Sequence, residues 1–313
     1  MTHAVRPDSV AVVLMAYGTP ASPDQVEEYY TDIRRGRPPT PEQLADLIAR
    51  YDAIGGVSPL AARTGEQRDA VQRALDEIAP GRYEVVLGLK HSHPKIEQAV
   101  ADVIAAGHRT IVAAVLAPHD SELSVGEYVG RVGAAATASG ESVKVRAVRS
   151  WATEPAFVDF VARDLQRRLD TAARPARVLF TAHSLPARIL DTGDPYPAEV
   201  RATAEAVAAQ LGLRERTGWD IAWQSAGRTP DPWLGPDLAT TIAGLSGSDV
   251  ATVIVAAVGF VADHLEVLYD LDIEAHAQAC DAGLGFDRTS CVNADPAVMG
   301  ALAARIHAAA EAG

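Results

Sequence analysis

The chain has 313 residues, enough for one large core or two ordinary α/β domains. Its formal net charge of −13 repels phosphate backbones and anionic lipid surfaces, so no nucleic-acid partner is expected. Two cysteines, Cys280 and Cys291, offer no CxxC or Cys/His zinc spacing and too few ligands for a cysteine-held iron–sulfur cluster.

The start, MTHAVRPDSV, has no signal-peptide apolar core. No apolar run approaches the ~18 residues that cross a bilayer. The expected compartment is a reducing cytoplasm, with no stable membrane insertion.

Strand-like runs alternate with helical patterns almost throughout. The first strand is Val10 to Ala16. A longer region between Ala21 and Ala79 holds two or three helices before the second strand, Tyr83 to Leu89. Helix Pro94 to Ala106 leads to strand Thr110 to Ala117, and a fourth strand runs from Val143 to Val148. In the second half, helix Glu154 to Leu169 precedes strand Val178 to Ala182. Helix Ala198 to Leu211 precedes Ile221 to Gln224. Strand Val250 to Val258 and a weaker run near Phe286 to Val292 complete the set.

This alternation predicts an α/β fold of two Rossmann-like, doubly wound domains, each on a four-stranded parallel sheet. The expected domains are residues 1–150 and 151–313, with a cleft between them. The last helix, about residues 296–310, starts on a proline suited to a first turn and can pack back on the first domain.

Ligands in open parallel sheets bind beyond the carboxyl ends of strands. The polar residues there are Tyr17 after the first strand, Lys90 and His91 after the second, and His119 after the third. His183 follows the fifth, and Asp263, His264 and Glu266 follow the seventh. A neutral imidazole such as His183 can ligate a metal or take a proton near neutral pH; it equally suits a hydrogen-bonded buried histidine.

Glu266, Asp270 and Glu274 stand four apart, which on an α-helix puts three carboxylates on one ridge, away from a core side marked by Leu265, Leu268 and Leu271. Like charges so placed repel one another, and carboxylate oxygens suit hydrated divalent ions. A solvated face of an acidic protein gives the same pattern. Ile33-Arg34-Arg35-Gly36-Arg37 is a basic island that can clamp carboxylates or simply end a helix. The turn-rich Thr229 to Asp237 segment reads as rigid structure.

Several long motifs, in one order, resemble the ferrochelatases, above all the soluble coproporphyrin ferrochelatases of Gram-positive bacteria. They are Met15-Ala16-Tyr17-Gly18-Thr19-Pro20, Tyr30 to Arg37, Arg50 to Leu60 and Gly88-Leu89-Lys90-His91. In the second half they are Ala182-His183-Ser184-Leu185-Pro186, Asp194-Pro195-Tyr196-Pro197, Thr229 to Asp237 and Gly259 to Asp270. The resemblance covers nearly the whole chain. It implies a porphyrin in the cleft of two Rossmann-like domains, and Fe²⁺ as a substrate.

Carried over by motif, His183 and Glu266 match the catalytic pair at the porphyrin centre. Asp270 and Glu274 extend that pair into a metal path, with Arg50 nearby. Tyr17 matches a substrate position facing the porphyrin centre from the first domain. Ile33, Arg34, Arg50, Ser58 and Tyr128 match substrate-binding positions, most of them holding propionates, and Lys90 and His91 match polar residues lining the cleft.

The implied reaction is Fe²⁺ insertion into coproporphyrin III. Protoporphyrin IX as substrate, or a non-catalytic porphyrin or haem carrier, are the alternatives. No tightly bound cofactor is implied, and downstream haem-pathway enzymes are the expected protein partners. Two departures stand out. Asp120 and Glu122 are more acidic than in relatives, so that loop either changes its substrate contacts or adds a metal contact. Gly36-Arg37-Pro38-Pro39-Thr40 is polar where animal enzymes carry an apolar membrane-binding lip.

Overall fold

The computed structural model describes residues 8–227 and 229–312. The first seven residues, on which the absence of a signal peptide was read, lie outside the described residues. The chain divides into two compact units: Met1–Trp151 with Asn293–Gly313, and Ala152–Val292.

The first unit runs β1 (Val10–Ala16), α1 (Val26–Ile33), α2 (Pro41–Ala53), α3 (Leu60–Ile78), β2 (Tyr83–Leu89), α4 (Ile96–Ala106), β3 (Thr110–Val115), α5 (Val125–Ala138) and β4 (Lys144–Val148). β1 reads Val-Ala-Val-Val-Leu-Met-Ala, and all seven residues are buried. Such an unbroken apolar strand belongs in the middle of a parallel sheet covered on both faces. It does: the order is β2-β1-β3-β4, all parallel, with Val12 registered against Val85 on one side and Val112 on the other. Val13, Met15, Ile111 and Val115 meet Val100 and Val103 of α4 and Val125 and Val132 of α5 on one face. Thr40 starts α2 with a reciprocal capping box to Gln43, which satisfies two otherwise orphaned backbone donors.

The second unit repeats the plan with α6 (Pro155–Thr171), β5 (Ala176–His183), α7 (Tyr196–Gln210), β6 (Trp219–Gln224), α8 (Leu238–Ala243), β7 (Thr252–Ala256), a π-helix (Glu266–Ala275), α9 (His276–Asp281) and β8 (Gly285–Arg288). Its order, β6-β5-β7-β8, is again wholly parallel. Leu179, Ala222, Val253 and Val255 pack under Leu238, Ile242, Val267 and Leu271.

The chain then returns to the first unit as α10 (Pro296–Glu311), which packs on α3, β3 and β4. Its Met299, Leu302 and Ile306 are at most 1% exposed, and burial of each contributes about 1.5–3 kcal/mol. The second unit therefore ends at Val292, and the last helix packs on the first unit, as its sequence allowed. The eight strands lie where the alternation places them, with ends moved by a few residues. The seventh is shorter than expected, and the eighth stops at Arg288 rather than Val292.

Candidate active site

In each sheet the chain builds outward from a central strand, first to one side and then to the other. The switch falls between β1 and β3 and again between β5 and β7, where sheets of this type open a crevice. His183 is the last residue of β5, and Asp263 to Glu266 follow β7. Gly259 lets the two ends meet. A Cβ there would lie 2.5 Å from Ala182 Cβ and 2.6 Å from its Cα, while the Gly259 N–H donates to Thr181 O at 3.0 Å.

His183 is held from several sides. Tyr196 donates its hydroxyl to the His183 carbonyl at 2.9 Å, and the next residue, Ser184, donates its N–H to Gln224 O at 2.7 Å. The Ser184 hydroxyl and the Leu185 and Ala187 backbones tie down Leu234 and Pro232, so the turn-rich segment braces the histidine loop. Burial pushes the Tyr196 phenol well above its usual range, with the Glu266 and Asp194 charges adding to the effect, so it stays a donor.

The imidazole places Nδ1 2.5 Å from Ser184 O. A carbonyl only accepts, so Nδ1 carries the hydrogen and the lone pair of the neutral ring sits on Nε2. That nitrogen lies 3.8 Å from Glu266 Oε1. His264 repeats the arrangement. Its Nδ1 meets Ala262 O at 2.9 Å and its Nε2 lies 3.7 Å from Glu266 Oε2. Each carboxylate oxygen thus faces an imidazole nitrogen whose other side is committed to backbone. With both rings neutral, each Nε2 lone pair faces the Glu266 carboxylate, so a proton or a cation between them is attracted from both sides. Burial disfavours the charged form of His264, but the nearby Glu266 carboxylate, with the Ala262 carbonyl, outweighs it and raises its pKa.

The acidic row differs from the expected ridge. Glu266–Ala275 forms a π-helix, bonded i→i+5, so a turn takes more than four residues. Rows four apart then run nearly along the axis. Val267, Leu271 and Ala275 form the buried row, in place of the expected Leu265, Leu268 and Leu271, of which the first two are only half-buried. Glu266, Asp270 and Glu274 form the adjoining half-buried row. Asp270 Oδ2 accepts the Ser225 hydroxyl at 2.5 Å; Ser225 holds φ at 58°, a left-handed value unusual outside glycine. Among the described residues, no three His, Cys, Asp or Glu side chains gather into a ready metal cluster.

In the first unit, the Tyr17 ring packs on His91 with centroids 4.6 Å apart. Gly18 makes the approach possible: its φ is +88°, and a Cβ there would run into the Ser92 side chain. Lys90 Nζ lies 5.9 Å from the Tyr17 ring centre and 5.3 Å from that of Tyr128, and pairs with Glu127 at 2.8 Å. Tyr128 is buried in α5, which drives its phenol pKa strongly upward. Ile33 and Arg34 lie at the end of α1, where Arg34 Nε donates to Arg37 O and its guanidinium stacks on Tyr30. Arg50 lies 3.7 Å from Asp46 on α2, and buried Ser58 accepts the Leu60 N–H just before α3.

The acids of the loop after β3 meet an arginine. Arg149 donates to both oxygens of Asp120, at 2.8 and 3.1 Å, and also pairs with Glu122. Asp120 and Glu122 form an ion-pair latch. His119 beside them is 2% exposed, and burial pushes its pKa down to about 3.

His264, Ser225 and Tyr196 gained no role from the sequence. His264 and Tyr196 stand inside the family motifs and Ser225 just past a strand, which was the available signal; the Tyr196 contact with the His183 carbonyl, 13 residues away, is made by the fold.

The model of the ferrochelatase family matches residues 9–310. A protein named ferrochelatase from Herpetosiphon aurantiacus is 41% identical over 92% of this chain and 95% of its own length. Coproporphyrin III ferrochelatases from Bacillus pumilus and Geobacillus thermodenitrificans are 42% and 43% identical, each over 94% of this chain and 95% and 94% of their own. Among solved structures, SirB from Bacillus subtilis with Fe³⁺ has a TM-score of 0.62 at 14% identity, covering 97% of this chain and 96% of that one. That likeness speaks for the two-domain chelatase fold alone. With two parallel sheets of matching order, a histidine–carboxylate cluster at a switch point and a family match over nearly its whole length, the chain belongs to the ferrochelatase family, enzymes that insert metal into porphyrin.

Proposed function

We propose that the chain inserts Fe²⁺ into coproporphyrin III, giving coprohaem, in the cytoplasm and without a tightly held cofactor. The observation that carries this is the Glu266 carboxylate with an imidazole Nε2 near each oxygen and both Nδ1 atoms committed to carbonyls. Metal insertion needs a group that accepts a pyrrole proton and a group that meets a divalent cation. This cluster serves both. His183 Nε2 takes the proton; Glu266 stabilises the imidazolium that results and offers an oxygen as the iron sheds water. Asp270 and Glu274, on the same row of the π-helix, supply further carboxylate oxygens to the incoming ion.

The first unit supplies the substrate contacts. Arg34, Arg50 and Ser58, with Tyr128 and Lys90, hold propionates; Tyr17, Ile33 and His91 contact the macrocycle. Binding energy from the propionates favours a bent ring, whose nitrogen lone pairs turn toward the metal. Four propionates suit this set better than two. The names of the relatives from Bacillus and Geobacillus support the same choice.

The test is anaerobic Fe²⁺ insertion followed by absorbance, with coproporphyrin III and protoporphyrin IX side by side. Faster metallation of coproporphyrin III is expected. Preference for protoporphyrin IX overturns the substrate assignment. Binding of both rings without metallation of either leaves a carrier and overturns the enzyme assignment.

A further inference from the structure

A second histidine–carboxylate pair lies in the first unit. Asp32, in α1, accepts from His91 Nδ1 at 2.7 Å and from Lys95 Nζ at 2.8 Å. Burial raises the Asp32 carboxyl, but the Lys95 and His91 hydrogen bonds outweigh it and leave its pKa below the usual value. An ionised carboxylate only accepts, so His91 carries its hydrogen on Nδ1 and presents a lone pair at Nε2.

The groups facing His91 are Asp32 and Tyr29 from α1, Tyr17 from the end of β1, and Lys90 and Lys95 from its own loop. Burial, helped by the two lysine charges, lowers the His91 pKa against the pull of Asp32, so the ring is neutral near pH 7. Asp32, His91 and Lys95 also line a cavity of about 600 Å³ with Thr19, Ser92 and His93. A neutral imidazole oriented by a carboxylate at Nδ1 and packed beside the Tyr17 ring offers its Nε2 lone pair as a proton acceptor.

We propose that Asp32 is a positioning residue for metal insertion, holding His91 so that its Nε2 accepts one of the two pyrrole protons. This rests on the function proposed above. One pyrrole N–H bond breaks, and its electron pair stays on nitrogen to bond the incoming Fe²⁺. The proton passes to His91 Nε2. The imidazolium is balanced by Asp32 until water takes the proton. The other pyrrole proton leaves through His183.

The experiment compares Asp32→Asn and Lys95→Gln in the full chain, measuring kcat and KM for anaerobic Fe²⁺ insertion across pH, with thermal melts as a fold check. A positioned general base contributes about 10²–10⁴-fold, so Asp32→Asn lowers kcat at least ~10-fold with little change in KM. The two variants move the acid limb of the pH profile in opposite directions. Loss of Asp32 removes the group that raises the His91 pKa and shifts the limb down. Loss of Lys95 removes a repelling charge, leaves Asp32 to His91 alone and shifts it up. A packing role moves neither limb. Unchanged kcat in Asp32→Asn, or limbs that stay put or move together, overturns the inference while wild-type insertion stands. A wild-type chain that inserts no metal overturns the proposed function itself.

Discussion

The two units are built on one plan and charged in two ways. Each sheet has its first strand inside, its second strand at one edge and its third and fourth beyond. The same positions carry different chemistry. After the second strand stand Lys90 and His91 in the first unit and Ser225 in the second. After the third strand, the first unit has an ion-pair latch and an α-helix, and the second has Glu266 and a π-helix. Charges near the first unit's strand ends are closed into pairs: Lys90 with Glu127, His91 and Lys95 with Asp32, Arg149 with Asp120 and Glu122. In the second unit, Glu266 faces two imidazole nitrogens beyond hydrogen-bonding length. A shared scaffold fixes where side chains sit and leaves open what they do. The second unit's strand ends gather one carboxylate between two imidazoles; the first unit's gather cations and carboxylates at close range.

Crossed variants break this comparison most directly. Glu266→Gln and His183→Ala are each expected to lower metal insertion by about 10²–10⁴-fold, with porphyrin binding and melting temperature little changed. Retention of more than about a tenth of wild-type kcat in both shows that the cluster is scaffold, like the Arg149 latch. The next largest effect is expected from Gly259→Ala. The added methyl meets the Ala182 backbone, which cannot swing aside as a side-chain tip would. The loop after β7 must lift, carrying Glu266 away from His183. A misplacement of about 1 Å can cost ~10²-fold in rate, so a loss of at least ~10-fold in kcat is expected beside a fall in stability. Full activity in this variant means that the spacing of the pair is not what catalysis requires.

Much of this was readable from residue order because parallel strands are continuous apolar runs and their ends are the sites. Val10–Ala16 could hardly be anything but a central strand, and His183 and Glu266 follow directly from ends of that kind. The π-helix was not readable. Acids and apolar residues spaced by four fit an α-helix as well, and only the i→i+5 bonding shows why Val267, rather than Leu265 or Leu268, lies in the buried row. Contacts across the fold were equally hidden. Asp32 and His91 are 59 positions apart, and Asp120 and Arg149 are 29 apart. Their charges were visible and their pairing was not, so Asp120 read as a change in substrate contacts or an added metal contact. α10 returns to the first unit, the packing its position in the sequence allowed, because α3 and the sheet offer its apolar face a place.

The Arg149 latch is tested by a change expected to alter stability and spare the chemistry. Arg149→Met removes a bidentate ion pair from Asp120, whose side chain is 15% exposed. Weakening the pairing of a largely buried carboxylate costs about 1–3 kcal/mol. Arg149 is itself a third exposed, so water softens the loss to the lower end of that range. A lower melting temperature with unchanged kcat is expected. Loss of activity at unchanged stability would instead put the latch in the reaction.

The smallest effect is expected from Glu127→Gln. The carboxylate is 43% exposed and Lys90 is 13% exposed, so the pair joins a wet group to a nearly dry one. Such pairs contribute under about 1 kcal/mol, and the melting temperature should barely move. What changes is the freedom of Lys90. Released from Glu127, its ammonium stays beside the Tyr17 and Tyr128 rings, which attract a cation through their faces. It then meets an incoming carboxylate without first breaking an ion pair. KM for a porphyrin bearing four propionates should therefore fall by a few-fold while kcat holds, with less change for a porphyrin bearing two. A KM that rises for both substrates means that Glu127 holds Lys90 in its working place, and that even the exposed pairs of the first unit belong to the site.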